Sequence, residues 1–207
     1  MTSFTYDFDG RLATKTDGNG VTVQFEYYLT GGLKKRTYPD GSFVEFRYDN
    51  RGNKIYEANA DVTIHREFDE LGRMISYRQI VNNGADKTVR YEFDKNGNRS
   101  KIIDGEGGVI SYEYDPANRL SKITDQDGDI TRFEYDAAGR RTKMLYANGT
   151  WAAYTYDGSS RVLSIIYRTR TNEIFLGFTY AYDLNGNRLY KKFHDGTQET
   201  YRYDSAN

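Results

Sequence analysis

Aspartate recurs along this chain at a nearly constant step: Asp7, Asp49, Asp69, Asp94, Asp115, Asp136, Asp157, Asp183 and Asp204. Carboxylates are candidates for general acid–base work when two of them meet at one reacting bond. A catalytic carboxylate, however, is a singular feature of a domain. These return in every copy of a short phrase, which assigns them to backbone geometry. The segment "DQDGD" (Asp125 to Asp129) has the look of a calcium loop, but an EF-hand loop places Gly sixth and Glu twelfth, and here Gly128 is fourth. His65 and His194 are the only histidines and cysteine is absent, so no zinc set is expected. Ser159 and Ser160 sit in "YDGSS", which is no nucleophile elbow; they take the place of a turn glycine. Trp151, the single tryptophan, would serve to stack a sugar or a partner, or to pack among other rings, and packing is the reading taken. The sequence therefore predicts a non-enzyme with no catalytic residues, no metal and no cofactor.

The aspartates belong to turns. Asp and Gly stand three apart in six copies: Asp7 with Gly10, Asp49 with Gly52, Asp69 with Gly72, Asp94 with Gly97, Asp136 with Gly139, and Asp183 with Gly186. A type I turn favours Asp first and Gly fourth, with the carboxylate accepting the N–H two residues on. Gly in fourth place takes positive φ and opens a bulge into the next strand. Asn118 follows Asp115 in the same place, and Asn tolerates that conformation. Asp157 begins another copy. Pairs such as Asp69 with Arg73 and Asp136 with Arg140 are placed to exchange hydrogen bonds across the turn. A second set of turns is marked by Asp-Gly or Asn-Gly: Asp17-Gly18, Asp40-Gly41, Asn83-Gly84, Asp104-Gly105, Asp127-Gly128, Asn148-Gly149 and Asp195-Gly196. Such dipeptides between β-rich runs are a strong hairpin signal.

Between the turns lie runs of strand length. "DPANRLSKITDQDGDITRFEYD" reads turn, run, turn, run. The phrase that closes it, aromatic-x-aromatic-Asp, begins at Phe4, Phe25, Phe46, Arg66, Tyr91, Tyr112, Phe133, Tyr154, Tyr180 and Tyr201, with Tyr28 standing in for one Asp and Arg66 for one leading ring. The step from Asp94 to Asp115, Asp136 and Asp157 is 21 residues each time. Connections this short cannot cross over between parallel strands, so the expected fold is all-β, an antiparallel meander of about 20 strands. At the usual strand spacing that is a strip of roughly 95 Å, which an open twisted sheet does not hold flat, and its edge strands are open to pairing. Phe133 and Tyr135 fall on one sheet face and Glu134 on the other, which predicts ladders of stacked rings. Two insertions, Ile80 to Arg90 and Arg168 to Phe178, lengthen hairpin tips as longer strands or protruding loops. In the second, Ile174, Phe175 and Leu176 are the candidates for contact with another segment or protein. With no linker or composition shift, residues 1–207 read as a single array.

Composition narrows the partners. A net charge of −1 offers no basic field for a nucleic-acid backbone. No run of about 18 apolar residues exists to span a membrane as a helix. The first residues, "MTSFTYDFDG", have neither the basic nor the apolar region of a signal peptide. Twenty tyrosines and two prolines favour β structure over disorder.

The period and the phrase "YDxxGR", as in "FEYDAAGR", resemble the YD repeats of the Rhs family, found also in toxin-complex proteins and teneurins. The resemblance covers the whole chain. It implies a β-strip spiralling into a hollow shell, and in bacterial members a shell that encloses a toxic polypeptide for delivery. It thereby implies a scaffold whose partners are the remaining shell repeats or a self-association partner and a polypeptide cargo, in a secreted or cell-surface setting. The alternative is an adhesion or carbohydrate-binding module using its aromatic ladders. Cargo-bearing members carry a self-cleavage motif of Pro, four residues, Asp-Pro, any residue, Gly. Asp115-Pro116 lacks the upstream Pro and the final Gly, so that activity is not carried over. The final "YRYDSAN" stops one residue short of "YDSANR", which suggests a piece of a longer shell.

Overall fold

The computed structural model describes residues 1–204. It is all-β: nineteen strands and, among the described residues, no helix. Two compact units divide the chain. The first comprises Met1–Phe93 with Lys101–Val109, and the second Asp94–Ser100 with Ile110 onward.

In the first unit β1 (Ser3–Tyr6), β2 (Leu12–Thr16), β3 (Thr22–Tyr27), β4 (Leu33–Thr37), β5 (Phe43–Tyr48), β6 (Lys54–Ala58), β7 (Val62–Phe68), β8 (Met74–Val81) and β9 (Asp86–Phe93) pair each with the next, always antiparallel. β10 (Arg99–Ile103) is divided between the units. In the second, β11 (Val109–Tyr114), β12 (Leu120–Thr124), β13 (Ile130–Tyr135), β14 (Arg141–Leu145), β15 (Trp151–Tyr156), β16 (Val162–Arg168), β17 (Ile174–Tyr182), β18 (Arg188–Phe193) and β19 (Gln198–Thr200) do the same. Residues 201–204 form no strand, although the Tyr201 N–H donates to the Leu189 carbonyl.

The register carries a regular flaw. It shifts just before the last aromatic of the phrase, between Thr5 and Tyr6, Glu26 and Tyr27, Glu134 and Tyr135, Thr155 and Tyr156, and Ala181 and Tyr182. Each shift is the bulge that the positive-φ residue of the following turn demands.

Both insertions form longer hairpins rather than loose loops. β8 and β9 run eight residues each, and β17 runs nine. Ile174, Phe175 and Leu176 therefore lie in a strand, and the connecting loop is confined to residues 169–173.

Only Phe46 and Ala152 are apolar and buried, and no polar side chain is buried among the described residues. The alternation of half-buried and exposed positions, as in β13, shows one face drier than the other without a second layer packed over it. Burial comes from neighbours within the sheet, so the contacts between successive strands carry an unusual share of the stability.

Candidate functional site: the joint between repeats

Each Asp-led turn is closed by bonds to the aspartate that begins it. In the turn from Asp136, Oδ1 accepts the N–H groups of Ala138 and Arg140 at 3.0 and 2.9 Å, and the Gly139 N–H closes on the Asp136 carbonyl at 3.0 Å. Gly139 has φ 81°. The turns from Asp7, Asp49, Asp69 and Asp94 form the same bonds. Their fourth residues are Gly10 at φ 77°, Gly52 at 85°, Gly72 at 77° and Gly97 at 88°. All four sit in the left-handed region, and each N–H closes on the carbonyl of its own aspartate. In the turn from Asp115, Asn118 takes φ 58° in the glycine's place. In the turn from Asp157 the fourth place is filled by Ser160, at φ 64°. Asp183 closes its turn with Gly186. Asp204 begins no described turn.

Most of the second turns have this architecture too, and the dipeptide glycine takes different places in them. In Asp17-Gly18 and Asp104-Gly105 the glycine is the second residue of the turn, and the positive φ falls on Gly20 and Gly107. In Asn83-Gly84 it falls on the asparagine. Where an aromatic residue begins the turn, as at Tyr38 and Tyr146, the Asp or Asn moves to third place. Asp40 then holds the N–H and hydroxyl of Ser42, and Asn148 those of Thr150.

The arginine that closes each phrase does what its position alone did not announce. Arg140 Nε donates to its own turn's Asp136 at 2.7 Å, while Nη1 donates to the Asp157 carbonyl of the next repeat at 3.0 Å. Its guanidinium carbon lies 4.9 Å from the centre of the next repeat's Tyr156 ring. Tyr156 in turn donates its hydroxyl to the Arg141 carbonyl at 2.8 Å. Arg119 repeats the set with Asp115, the Asp136 carbonyl and Tyr135, and Tyr135 donates to the Leu120 carbonyl. Arg161 repeats it with Asp157, the Asp183 carbonyl and Tyr182. In the first unit Arg11 bridges Asp7, the Tyr28 carbonyl and the Tyr27 ring.

The predicted ladders of stacked rings are thus replaced by rings alternating with guanidinium groups. Direct ring pairs, such as Tyr28 with Tyr48 at 6.4 Å and Phe178 with Phe193 at 5.5 Å, are interspersed rather than continuous. A cation over a ring face is more favourable than two tyrosines separated by a full strand pair. The arginine four residues after Asp7, Asp69, Asp115, Asp136 and Asp157 was the available signal.

Asparagine replaces that arginine at positions 53, 98 and 187. Each still reaches its own Asp, at 2.9, 3.0 and 3.1 Å, but is too short to reach the next turn's carbonyl. Asn98 meets only the side-chain oxygen of Asn118 there, at 3.1 Å. After Asn53 the span is supplied by Arg51, which donates to the Asp69 and Glu70 carbonyls.

These bonds set the electrostatics. The Arg140 N–H, then the Arg140 guanidinium against an opposing loss of hydration, hold the Asp136 carboxyl below the usual carboxylate range. Asp115 and Asp157 are lowered in the same way by Arg119 and Arg161. Partial burial, first of all, raises the Tyr156 hydroxyl.

Elsewhere, Trp151 is engaged by two cations, with Lys143 and Arg168 at 4.9 and 5.5 Å from its ring. Ile174 and Phe175 are 46% and 49% exposed, and Phe175 leans on Tyr167 at 6.2 Å. Leu176 is half-buried opposite Tyr167. A polar groove of about 550 Å³ in the first unit is lined by His65, Glu67, Arg78 and Asp86, where Arg78 and Asp86 pair at 2.9 and 2.5 Å. No group of three metal-ligating side chains occurs among the described residues.

The family model for the RHS Repeat matches residues 93–130 and again 114–150. No curated protein matches the chain in sequence. Among solved structures, the crystal structure of TcdB2-TccC3 is similar with a TM-score of 0.82 at 18% identity, over 99% of this chain and 13% of that one. TcdB2-TccC3 without its hypervariable C-terminal region gives 0.81 and 18%, over 99% and 12%. The Photorhabdus luminescens Tc holotoxin pore gives 0.79 and 19%, over 99% and 12%. The chain thus spans about an eighth of the structures it matches. At this identity the likeness is one of fold.

Proposed function

We propose, from the premise that the chain belongs to the Rhs (YD-repeat) family, that it is a length of non-enzymatic β-wall that helps enclose a polypeptide cargo. The observation that carries this reading is the joint. Where arginine closes the turn, as after Asp115, Asp136 and Asp157, Asp, Arg and Tyr bond to one another and to the next repeat, so these regular residues of the sequence are spent on extending a sheet. A wall requires that kind of uniform, locally bonded course, and a curved sheet excludes proteases by geometry alone. Its cargo would be toxic or otherwise hazardous to the producing cell, and its setting secreted or at the cell surface. Glycan binding is disfavoured because the candidate platform, Trp151, already lies against two cations.

Small-angle X-ray scattering with light scattering tests the reading. An open, curved strip is expected, and a compact particle with both sheet faces covered within one chain would overturn it. Intrinsic Trp151 fluorescence should stay unchanged on titration with a panel of oligosaccharides.

A further inference from the structure

The wetter face of the second unit carries charged pairs across its strands, such as Lys122 on β12 with Glu113 on β11 at 2.8 Å. From β14 to β17 that pattern is interrupted. Arg132 and Glu134 of β13 give way, one repeat later, to Ala153 and Thr155. Leu145, Trp151 and Arg168 stand opposite one another in successive strands, and so do Lys143, Ala153, Ile166 and Gly177. Directly opposed residues share a sheet face. Ile174 joins them, because its Cγ2 lies 3.8 Å from where a Cβ on Gly177 would stand. Leu145, Trp151, Ile166 and Ile174 thus form an apolar floor within a charged face, and Ile174 is 46% exposed. The cations around this floor are poorly matched by carboxylates. Lys143 and Arg168 lie over the Trp151 ring, but Lys143 comes no closer than 3.9 Å to Glu134, and Arg168 donates to the Asn172 carbonyl. Arg132 stands opposite Leu145, and the stem of Arg170 leans on Gly149 just ahead of Trp151. Both are exposed, and neither pairs with a carboxylate among the described residues.

We propose that this floor and its cations are a docking surface for an acidic polypeptide segment in extended form. Its apolar side chains would lie on Leu145, Ile166 and Ile174, and its carboxylates would meet Arg132, Arg170 and Lys143. Charge complementarity selects the partner. Guanidinium and ammonium groups without a carboxylate form strong hydrogen bonds with an incoming one. Next to apolar surface, those bonds are also less weakened by water. The floor selects a polypeptide over other polyanions. A nucleic acid or a sulfated sugar brings charge but no aliphatic group for Ile166 and Ile174, and the Trp151 ring that would stack a base is engaged by two cations. The surface lies on one face of one unit, so it does not depend on the enclosing role.

The single tryptophan reports on this surface directly. The full chain is titrated with a capped peptide of about ten residues that alternates glutamate and leucine, which as a strand sets its leucines on one side. Trp151 emission should change saturably, and the affinity should fall as salt is raised. The same peptide with lysine for glutamate, or with serine for leucine, should bind at least about tenfold more weakly. Arg132→Glu, Arg170→Glu and Ile174→Ser alter exposed side chains, and each should weaken the glutamate–leucine peptide severalfold. Lys87→Glu, exposed in the other unit, makes the same change in net charge as the arginine variants and should leave binding as it is. Calorimetry accompanies the emission, so that binding without a change at the ring is still seen. No response by either measurement, an equal response to the lysine peptide, or variants that bind as the parent does would overturn the docking surface. Tighter binding of a single-stranded DNA oligonucleotide or a heparin fragment would overturn it too, and would leave a plain patch for polyanions. None of these outcomes alters the scattering profile, by which the wall reading is tested separately.

Discussion

Arg140 shows how much one side chain carries in a sheet without a covering layer. It is only partly withdrawn from water, with 28% of its side chain exposed, so its pairing with Asp136 contributes little as a bare ion pair. Its value lies in joining the N–H donation to the next turn and the cover over Tyr156 to that pair. Arg140→Asn should keep the bond to Asp136, as the natural asparagines do, and lose the other two. The expected cost is about 1–2 kcal/mol, from one charge-assisted hydrogen bond and one cation–ring contact. Arg140→Lys should recover less than half of that, because an ammonium cannot serve a ring face and two acceptors at once. Urea unfolding of the three proteins measures both. An equal stability for the Asn variant would mean that the joint is held by the strand ladder alone. The sequence announced the Asp and Gly of this joint, because turn geometry is local. It did not announce the reach of the arginine, because the groups it reaches lie 17 residues away and become neighbours only after the meander has paired.

Strands and turns obey local rules wherever the backbone decides, and the exceptions lie where neighbours decide. Gly158 is the second residue of its turn, a place held by Pro116 and Ala137 in the two preceding repeats. Its φ is ordinary and nothing stands within 4 Å of the space a Cβ would fill. Gly158→Ala should therefore stabilise by about 0.4–1 kcal/mol through the unfolded chain. Gly177 has no special φ either, yet a Cβ there would meet Ile166 Cδ1 at 2.9 Å and His194 Cβ at 3.3 Å. Ile166 is its cross-strand partner, and the His194 N–H donates to the Gly177 carbonyl at 2.9 Å. Gly177→Ala should destabilise by up to about 1 kcal/mol, as Ile166 leaves its rotamer and His194 gives by a few tenths of an ångström. Thermal melts of the two variants should move in opposite directions. This contrast explains what was legible: the turn spacing, the meander and the strand lengths follow from residues within one repeat. The strand character of residues 174–176 was less so, because a longer hairpin and a protruding loop share the same composition, and cross-strand partners such as Tyr167 choose between them.

At the scale of the whole molecule, repetition turns a small local effect into a collective one. Asp115, Asp136 and Asp157 are each held below the usual carboxylate range by the N–H and guanidinium of the following arginine. A carboxyl lowered by folding stabilises the folded chain above its unfolded pKa of about 3.9, and that contribution disappears as pH falls through the lower folded value. Protonation also weakens the acceptor that orders the turn and removes the charge that anchors the arginine reaching into the next repeat. Neighbouring joints share strands, so losing one loosens the next, and the acid transition should be steeper than that of a single titrating group. The opposite limb has a different origin. Tyr156 and Tyr180 are raised, first of all by burial, so their neutral forms favour the fold; that contribution is fully present below the unfolded value near 10 and is lost as pH rises from there through the raised folded value. Stability measured by urea unfolding should form a plateau through neutrality, fall below about pH 4 and fall again above about pH 10. Asp136→Asn isolates the acid limb: an amide still accepts the turn's N–H groups but does not titrate, so the variant should start less stable at neutral pH and lose less on acidification. Parallel acid curves for the variant and the parent would mean that the acid limb originates outside these turns.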